Sequence, residues 1–342
     1  MPNSIQHILV IRLSAMGDVA MSVPVLRAFV SQYPKVKVTV LTRPFFTPFF
    51  ETVENVEVYP VDLHKKHKGI FGLYKLSKEI KNLKVDAIAD LHNVLRSKIV
   101  KMFLREMHIV QIDKGRKEKK EIITGKRFEQ LKSTHQRYAD VFAKLGFEIN
   151  LENPDFPLKS QLNYDNIDHT KKLIGVAPFA AFESKIYPLD MMEKVIEELS
   201  KRYQILLFGG GKNEIELLSE LEEKYENVIN LAGEITLKKE LEIISNLDLM
   251  ISMDSGNAHL GAMQGVEVLT FWGVTHPFLG FYPFNQPKEN ALLVDRAEFS
   301  DIPTSVYGNK YPEGYKNILD TITPESVVAK VESIIKNGPT KE

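Results

Sequence analysis

The sequence predicts an α/β fold made of two doubly wound parallel sheets with a cleft between them. Three observations lead to this prediction: short apolar segments alternate with amphipathic helical ones, the alternation occurs in two separate series, and a polar stretch divides the series. A chain of 342 residues with 44% hydrophobic residues is also long enough to form two cores.

The first series begins almost at the start of the chain. The continuous apolar run Ile8–Ile11 is typical of a strand that is buried on both faces of a parallel sheet. Apolar residues at helical spacing follow from Val19 to Val30 and again from Gly72 to Asn82. Strands of this series are expected at His7–Leu13, Lys37–Thr42, Val56–Pro60, Val85–Asp90 and His108–Ile112.

The second series repeats the alternation after residue 170. Its strands are expected at Leu173–Pro178, Tyr203–Phe208, Val228–Leu231, Leu247–Met253 and Val266–Phe271. Its helices are expected at Leu189–Lys201, Asn213–Tyr225, Leu237–Ser245 and Ala258–Gln264. Two such series predict two Rossmann-like lobes.

The domain boundary is expected within Leu151–His169, a polar stretch with two Pro and several Asn and Asp. Residues 1–160 therefore form a predicted N-terminal lobe and residues 161–322 a predicted C-terminal lobe. Residues 323–342 hold a last helix, which starts after the N-cap residue Thr323 and is expected to pack back toward the N-terminal lobe.

Composition excludes several classes of protein. Without cysteine, the chain has no disulfide, no thiolate metal site and no cysteine nucleophile. No signal segment precedes the first strand, and no apolar run approaches the ~20 residues needed to span a bilayer. A cytoplasmic protein is therefore expected.

The net charge of −1 conceals an asymmetry between the two halves. Residues 1–165 hold 27 Lys and Arg against 18 Asp and Glu, whereas the remainder holds 17 against 27. The basic half suits an anionic partner such as a phosphorylated lipid or an acidic sugar. Nucleic acid is not expected, because aromatic residues do not alternate with the basic runs as stacking platforms do.

A turn of small residues, Ser14 to Asp18, joins the first strand to its helix. Ligands of doubly wound sheets bind beyond the carboxyl ends of the strands, so this turn is expected to line the cleft. Asp18 also stands at the helix start, where a carboxylate complements the helix dipole. This segment alone therefore fits either helix stabilisation or catalysis.

Two turns of the second series carry further candidates. The segment Asp254–His259 follows a buried strand, and its small residues free backbone N–H groups at a helix start for phosphate oxygens, although an ordinary N-cap explains it as well. The loop after Ala177 carries Ser184 and Lys185, whose ammonium suits a diphosphate.

Two common nucleotide-binding motifs are absent. The run Gly209–Lys212 lacks the spacing of a Walker A loop. No Gly-x-Gly-x-x-Gly follows the first strand, which argues against a dinucleotide-dependent oxidoreductase.

In this order and at this spacing, the candidate segments resemble glycosyltransferase family 9, the ADP-heptose:lipopolysaccharide heptosyltransferases. Ile8–Ala28 is similar to the family's opening strand, Ser-x-x-Gly-Asp turn and helix with an early Pro. Ala177–Pro188 is similar to its Ser-Lys-x-Trp-Pro segment, and Asp254–His259 to its Asp-Ser/Thr-Gly-x-x-His motif. Further similarity lies in Asn230–Glu234, Phe271–Thr275 and His135–Gly146, and it weakens through residues 60–130 and 285–322.

The resemblance implies a GT-B fold whose N-terminal lobe takes the acceptor and whose C-terminal lobe takes the ADP-sugar. The implied reaction is inverting transfer from ADP-L-glycero-D-manno-heptose to the lipopolysaccharide inner core. No metal or redox cofactor is implied, although the sequence leaves a carboxylate-bound Mg²⁺ open. Asp18 matches the family's catalytic base, and Lys185 is the implied cation for the leaving diphosphate.

The same matches imply residues for each substrate. Those for the donor are Ser184, Glu234, Asp254, Ser255, Gly256, Asn257, His259, Gly273 and Thr275. Those expected on the acceptor side are Ser14, Met16, Gly17, Lys65, Lys66, Lys117, Lys120 and Arg137. The basic clusters Lys65–Lys68 and Lys114–Arg127 are expected in the acceptor lobe, where they would meet an anionic glycolipid of the lipid A-core type and the inner face of the inner membrane.

Departures from the family pattern leave specificity open. Phe179 stands where the family often has Gly, and Ile186-Tyr187 replaces an Arg/His-Trp pair. The alternatives are a transferase or epimerase for another nucleotide sugar and a non-catalytic sugar-nucleotide-binding protein. The retention of Asp18, Lys185 and Asp254 together argues against the last of these.

Overall fold

The computed structural model describes residues 5–164 and 166–338. Within it the chain forms two compact units. The first unit comprises the residues up to Gly115 together with Lys132–Pro157, and the second comprises Arg116–Leu131 together with the residues from Leu158 onward.

The first unit contains a parallel sheet of five strands in the order β3-β2-β1-β4-β5: β1 (His7–Ile11), β2 (Lys37–Thr42), β3 (Val56–Pro60), β4 (Ala87–Asp90) and β5 (His108–Gln111). Its helices are α1 (Met16–Ala20), α2 (Ser22–Gln32), α3 (Gly69–Asn82), α4 (Leu95–Met102) and α6 (Thr134–Lys144). Helix α5 (Arg116–Ile123) lies between α4 and α6 in the chain but belongs to the second unit. Strand order reverses between β1 and β4, and such a switch point is where doubly wound sheets bind ligands.

The second unit contains a parallel sheet of six strands in the order β11-β10-β9-β6-β7-β8: β6 (Leu173–Ala177), β7 (Gln204–Leu207), β8 (Val228–Asn230), β9 (Leu249–Met253), β10 (Val268–Trp272) and β11 (Ala291–Leu293). Its other helices are α7 (Leu189–Ser200), α8 (Lys212–Lys224), α9 (Leu237–Ile244), α10 (Gly256–Met263) and α11 (Pro324–Asn337). The switch point of this sheet lies between β6 and β9.

Both sheets are doubly wound, so the predicted α/β class is confirmed. The single helix expected over Val19–Val30 is instead two, α1 and α2, separated at Met21. Pro24 explains the interruption, because proline has no N–H to donate to the carbonyl of Ala20 and its ring crowds that carbonyl.

Residues 116–131 were expected in the N-terminal lobe, but they pack into the second unit. Ile122 and Leu131 form one buried cluster with Leu279. The Lys119 ammonium lies 3.7 Å from the centroid of the Phe281 ring, which adds a cation–π contact. The predicted acceptor-side residues Lys117 and Lys120 therefore belong to the second unit, unlike Lys65, Lys66 and Arg137.

The last helix was expected to pack toward the N-terminal lobe, but the structure places its buried face in the second unit. Val327 and Val331 of α11 are fully buried in the same core as Ile196 and Leu199 of α7. Residues 339–342 of the predicted C-terminal segment lie outside the described residues. In the part of the chain that is described, no helix combines the length and apolar character needed to cross a membrane.

Candidate active site

An ion pair occupies the end of β1 in the first unit. Arg12 follows the strand directly, and its side chain is buried, with Nη2 2.5 Å from Oδ2 of Asp18. Its Nη1 donates to the carbonyl of Leu91, which follows β4, at 2.6 Å. The Arg12 guanidinium thus contacts both the carboxylate of Asp18 and the end of β4. Arg12 itself follows β1, so these contacts lie at the switch point between β1 and β4.

Asp18 lies in the first turn of α1 and is held by more than Arg12. Its Oδ2 accepts from the backbone N–H of Ala15 at 3.4 Å, and the Tyr138 hydroxyl donates to its carbonyl at 3.1 Å. Even so, the Asp18 side chain is 32% exposed. The carboxylate therefore supports the helix start and also presents an accessible oxygen at the switch point.

His92 adds an uncharged group beside this ion pair. Its Nδ1 accepts from the backbone N–H of Leu13 at 3.4 Å. Burial, with the nearby charges of Arg12 and Lys114, lowers the pKa of His92 to about 4. His92 is therefore neutral at pH 7, and it contributes a hydrogen bond between the ends of β1 and β4 rather than a second cation.

The predicted acceptor-side residues lie in different settings. Ser14, Met16 and Gly17 are partly exposed in the turn that carries Asp18, and Lys65 and Lys66 are exposed in the loop before α3. Arg137, in contrast, is buried; its Nε donates to the carbonyl of Lys132 at 3.2 Å, and its guanidinium packs against Gly115. The chain leaves the first unit after Gly115 and re-enters it at Lys132. Arg137 therefore contacts the residues on both sides of the segment Arg116–Leu131.

A second ion pair spans the switch point of the second unit. Lys185 ends a short 3₁₀ helix after β6, and Asp254 follows β9. Lys185 Nζ lies 2.9 Å from Asp254 Oδ2, and both side chains are only 12% exposed. The buried Thr275, which follows β10, donates from Oγ1 to the same carboxylate oxygen at 2.8 Å.

Gly308 fixes the stem of Lys185 from the other side. Its φ is +86°, and a Cβ at this position would lie 2.5 Å from Cδ of Lys185. The Ser184 hydroxyl donates to the Gly308 carbonyl at 2.6 Å, and the Gly308 N–H donates to Ser305 Oγ at 2.9 Å. Gly273 allows a similar approach, since a Cβ there would lie 2.8 Å from the Ser184 carbonyl oxygen.

Helix α10 begins beside Asp254. Ser255 occupies the N-cap position, but its side chain makes no capping hydrogen bond and instead pairs with Ser252 Oγ at 3.2 Å. The first N–H groups of any helix lack intrahelical partners, which suits this turn to an anion. Gly256 and Asn257 are partly exposed here, and His259 is buried one turn further on.

Glu234 is exposed in the turn after β8, and across residues 5–164 and 166–338 no hydrogen bond joins its side chain to Lys185 or Asp254. Direct contacts link Ser184, Lys185, Asp254, Gly273 and Thr275 to one another.

Sequence reasoning missed Arg12, His92 and Gly308 as members of these sites. Arg12 carried a signal, since a charged residue directly after a buried strand needs a partner. Gly308 carried only a weak one, a glycine in an irregular stretch. Within the described ranges, no cluster of three or more His, Cys, Asp or Glu side chains is arranged to hold a metal ion.

The sequence profile described as glycosyltransferase family 9 (heptosyltransferase) matches residues 73–302, about two thirds of the chain. The chain belongs to glycosyltransferase family 9. The family that the motifs indicated is therefore confirmed, and so is the prediction that the protein is a glycosyltransferase.

Relatives of this family 9 member align with it over nearly their whole length. The lipopolysaccharide core heptosyltransferase OpsX of Haemophilus influenzae is 22% identical, covering 95% of this chain and 96% of OpsX. The lipooligosaccharide heptosyltransferase 2 of Campylobacter jejuni is 26% identical, covering 94% and 96%.

Solved structures establish the fold of this glycosyltransferase. The family 9 glycosyltransferase of Veillonella parvula matches with a TM-score of 0.74 at 21% identity, covering 97% of this chain and 98% of that one. E. coli heptosyltransferase WaaC with ADP matches with a TM-score of 0.69 at 20% identity, covering 96% and 99%. The expected GT-B fold is therefore confirmed.

Proposed function

We propose that this glycosyltransferase transfers a heptose from ADP-L-glycero-D-manno-heptose to the inner core of lipopolysaccharide, with inversion at the anomeric carbon. Relatives that bear the names of lipopolysaccharide and lipooligosaccharide heptosyltransferases cover almost the whole chain. One observation carries the chemistry: each switch point holds one group that the reaction needs, an accessible carboxylate in the first unit and a nearly buried ammonium in the second.

In the proposed step, Asp18 is the general base. Its carboxylate takes the proton of the acceptor hydroxyl as the hydroxyl oxygen attacks the anomeric carbon. The bond between that carbon and the diphosphate oxygen breaks, and ADP leaves with the electron pair, so a single displacement inverts the configuration. Arg12 holds one carboxylate oxygen in place, which orients Asp18 toward the incoming hydroxyl.

Lys185 is the proposed cation for the leaving diphosphate. An ammonium has three N–H donors, and the bond to Asp254 uses one, so the others remain for phosphate oxygens. The first N–H groups of α10 add to this stabilisation of the developing negative charge. Asp254, bound in turn by Thr275, positions Lys185.

The remaining donor-binding residues are assigned from the resemblance to the family. Glu234 is assigned to the ribose, and Gly273 and Thr275 to the nucleotide. Ser184 supports Lys185 through Gly308, and Ser255, Gly256, Asn257 and His259 complete the turn at the start of α10.

On the acceptor side, the proposed partner is an anionic glycolipid. The exposed lysines Lys65 and Lys66 of the first unit and Lys117 and Lys120 of the second suit its phosphates and acidic sugars. Because such an acceptor is membrane-bound, the proposal includes peripheral contact with the inner face of the inner membrane.

A donor comparison tests the proposal. The purified protein is incubated with a core lipid that lacks heptose and with ADP-heptose, ADP-glucose, UDP-glucose or GDP-mannose in separate reactions. We expect the acceptor to gain one heptose residue by mass spectrometry, with ADP released in equal amount and the new linkage inverted by NMR. Transfer from the UDP- or GDP-sugar but not from ADP-heptose would overturn the donor assignment.

A further inference from the structure

The solvent face of α3 carries large apolar side chains. Ile70 is 62% exposed, Phe71 is 90% exposed and Tyr74 is 43% exposed. Single exposed apolar residues are common on protein surfaces and need no explanation. Three neighbours on one helix face are unusual, because the outer face of a surface helix is normally polar.

Helical geometry places these residues on one side. At about 100° per residue, positions 70, 71, 74, 75 and 78 fall within an arc of roughly 140°. The opposite side, which includes Leu73, Leu76 and Ile80, is buried in the first unit. Helix α3 thus has one apolar face in the core and a second apolar strip in solvent.

Cations border this strip. Lys75 and Lys78 are exposed on the same arc, and Lys65 and Lys68 are exposed in the loop that leads into α3. Lys78 Nζ lies 4.6 Å from the centroid of the Tyr74 ring, so the ammonium and the aromatic ring form one continuous surface.

The acid of α3 does not neutralise these cations. Glu79 lies beyond the arc and pairs with Lys66 Nζ at 2.9 Å and His67 Nε2 at 3.0 Å. Burial alone would raise the pKa of Glu79, but hydrogen bonds from Tyr59, Lys66 and His67 lower it to about 2. Its negative charge is therefore committed to its own partners.

We propose that this α3 surface, formed by Ile70, Phe71, Tyr74, Lys75 and Lys78, docks on an anionic phospholipid bilayer. Apolar and aromatic side chains enter the boundary between headgroups and acyl chains, while lysines contact the phosphates. Exposed apolar and aromatic side chains lie beside the exposed lysines Lys75 and Lys78, and this combination matches an anionic bilayer in both polarity and charge. A protein partner would need acidic residues opposite these lysines. The inference deepens the proposed function and rests on it for the identity of the membrane, because a glycolipid acceptor requires the enzyme at a bilayer.

Vesicle co-sedimentation of the full-length protein tests this surface. Vesicles of phosphatidylglycerol and phosphatidylethanolamine are compared with phosphatidylcholine vesicles at low salt. We expect binding to the anionic vesicles alone, and at least about tenfold weaker binding for Ile70→Ser/Phe71→Ser. Leu158→Ser is the matched control, because Leu158 is 93% exposed outside the α3 surface, and its binding is expected to equal the wild type.

The lysines are tested in the same assay. Lys75→Gln/Lys78→Gln is expected to weaken binding about tenfold or more at low salt, and this difference is expected to shrink at high salt. Lys212→Gln, at a side chain that is 88% exposed in the second unit, is the control with unchanged binding.

Three results would overturn the inference: equal binding to both vesicle types, wild-type binding by Ile70→Ser/Phe71→Ser, or conversion of a wild-type dimer to a monomer by that variant. The last result would assign the surface to a second copy of the chain. Release of ADP from ADP-heptose, measured without vesicles but with a detergent-solubilised core lipid as the acceptor, separates this inference from the proposed function. We expect that rate to be the same in Ile70→Ser/Phe71→Ser as in the wild type. Its absence in the wild type would count against the proposed donor and acceptor while leaving the vesicle result valid.

Discussion

Lys185 and Asp254 form an ion pair across the switch point of the second sheet, with 2.9 Å between Nζ and Oδ2. Burying an ammonium is costly unless it is paired, and Asp254 supplies the pairing from the neighbouring strand. Thr275 donates to the same oxygen, so the carboxylate is itself held in place. The arrangement keeps a cation ready at the point where a sheet of this type binds its ligand.

Replacing the cation should weaken diphosphate binding specifically. Lys185→Met is expected to lower the affinity for ADP by about 10²-fold while leaving the affinity for adenosine nearly unchanged, because only the phosphates lose a charge-assisted partner. Isothermal titration calorimetry with both ligands measures this. Lys212→Met, at an exposed site in the same unit, is the control. An equal loss for ADP and adenosine would show that Lys185 does not contact the phosphates.

Removing the proposed base should reduce the rate and not donor binding. Asp18→Asn keeps the size of the side chain but cannot accept a proton at neutral pH, so kcat is expected to fall by about 10²–10⁴ with the KM for the donor unchanged. Steady-state kinetics of ADP release test this prediction. Asp155→Asn, whose side chain is 71% exposed in the same unit, should behave as the wild type. Full transfer by Asp18→Asn would refute the assignment.

The sequence predicted those parts of the fold that depend on a pattern within one short segment of the chain. Continuous apolar runs such as Ile8–Ile11 and Leu249–Met253 form buried strands, and the expected strand positions agree with the structure to within about two residues. The strand Ala291–Leu293 was missed, because three residues at a sheet edge form too short a run to stand out.

What the sequence left undetermined depends on distant contacts. The basic cluster Lys114–Arg127 was expected in the acceptor lobe, yet residues 116–131 belong to the second unit, where Lys119 lies on the Phe281 ring and Ile122 packs against Leu279. For α11, the N-cap residue Thr323 predicted the helix, but the expected packing toward the N-terminal lobe was wrong, because α11 shares its core with α7. The candidate site shows the same limit, since Gly308 meets Lys185 across more than 120 residues of chain.

A methyl group at Gly308 should disturb Lys185. Gly308→Ala is expected to raise the KM for the donor about tenfold, because the new Cβ would lie 2.5 Å from Lys185 Cδ. Gly314→Ala separates this effect from backbone strain: φ at Gly314 is +83°, close to the +86° at Gly308, but no atom lies within 4 Å of the added Cβ. Both variants should lose about 1 kcal/mol of stability from the left-handed backbone. Equal KM values for the two variants would contradict the proposed contact.

Two buried histidines should make the protein less stable in mild acid. Burial, with nearby cations, lowers the pKa of His92 and of His276 to about 4, and each Nδ1 accepts a backbone N–H. Each histidine takes up its proton near pH 6.5 in the unfolded chain and near pH 4 in the folded one. The contribution of the two histidines to stability is therefore fully present above pH 6.5 and is lost as the pH drops from 6.5 to 4. Each contributes about 1–3 kcal/mol to the fall.

Denaturant unfolding between pH 7 and pH 4.5 measures this dependence. His92→Asn keeps an acceptor near the position of Nδ1 but does not titrate, so its stability should fall less steeply with pH than that of the wild type. Parallel curves for the two proteins would show that His92 does not contribute.

The nature of the donor can be measured by calorimetric binding of ADP, UDP and GDP to the purified protein, followed by ADP-heptose. We expect selective binding of ADP and tighter binding when the heptose is attached. Preference for UDP or GDP would contradict the heptose assignment, although the fold and the family would stand.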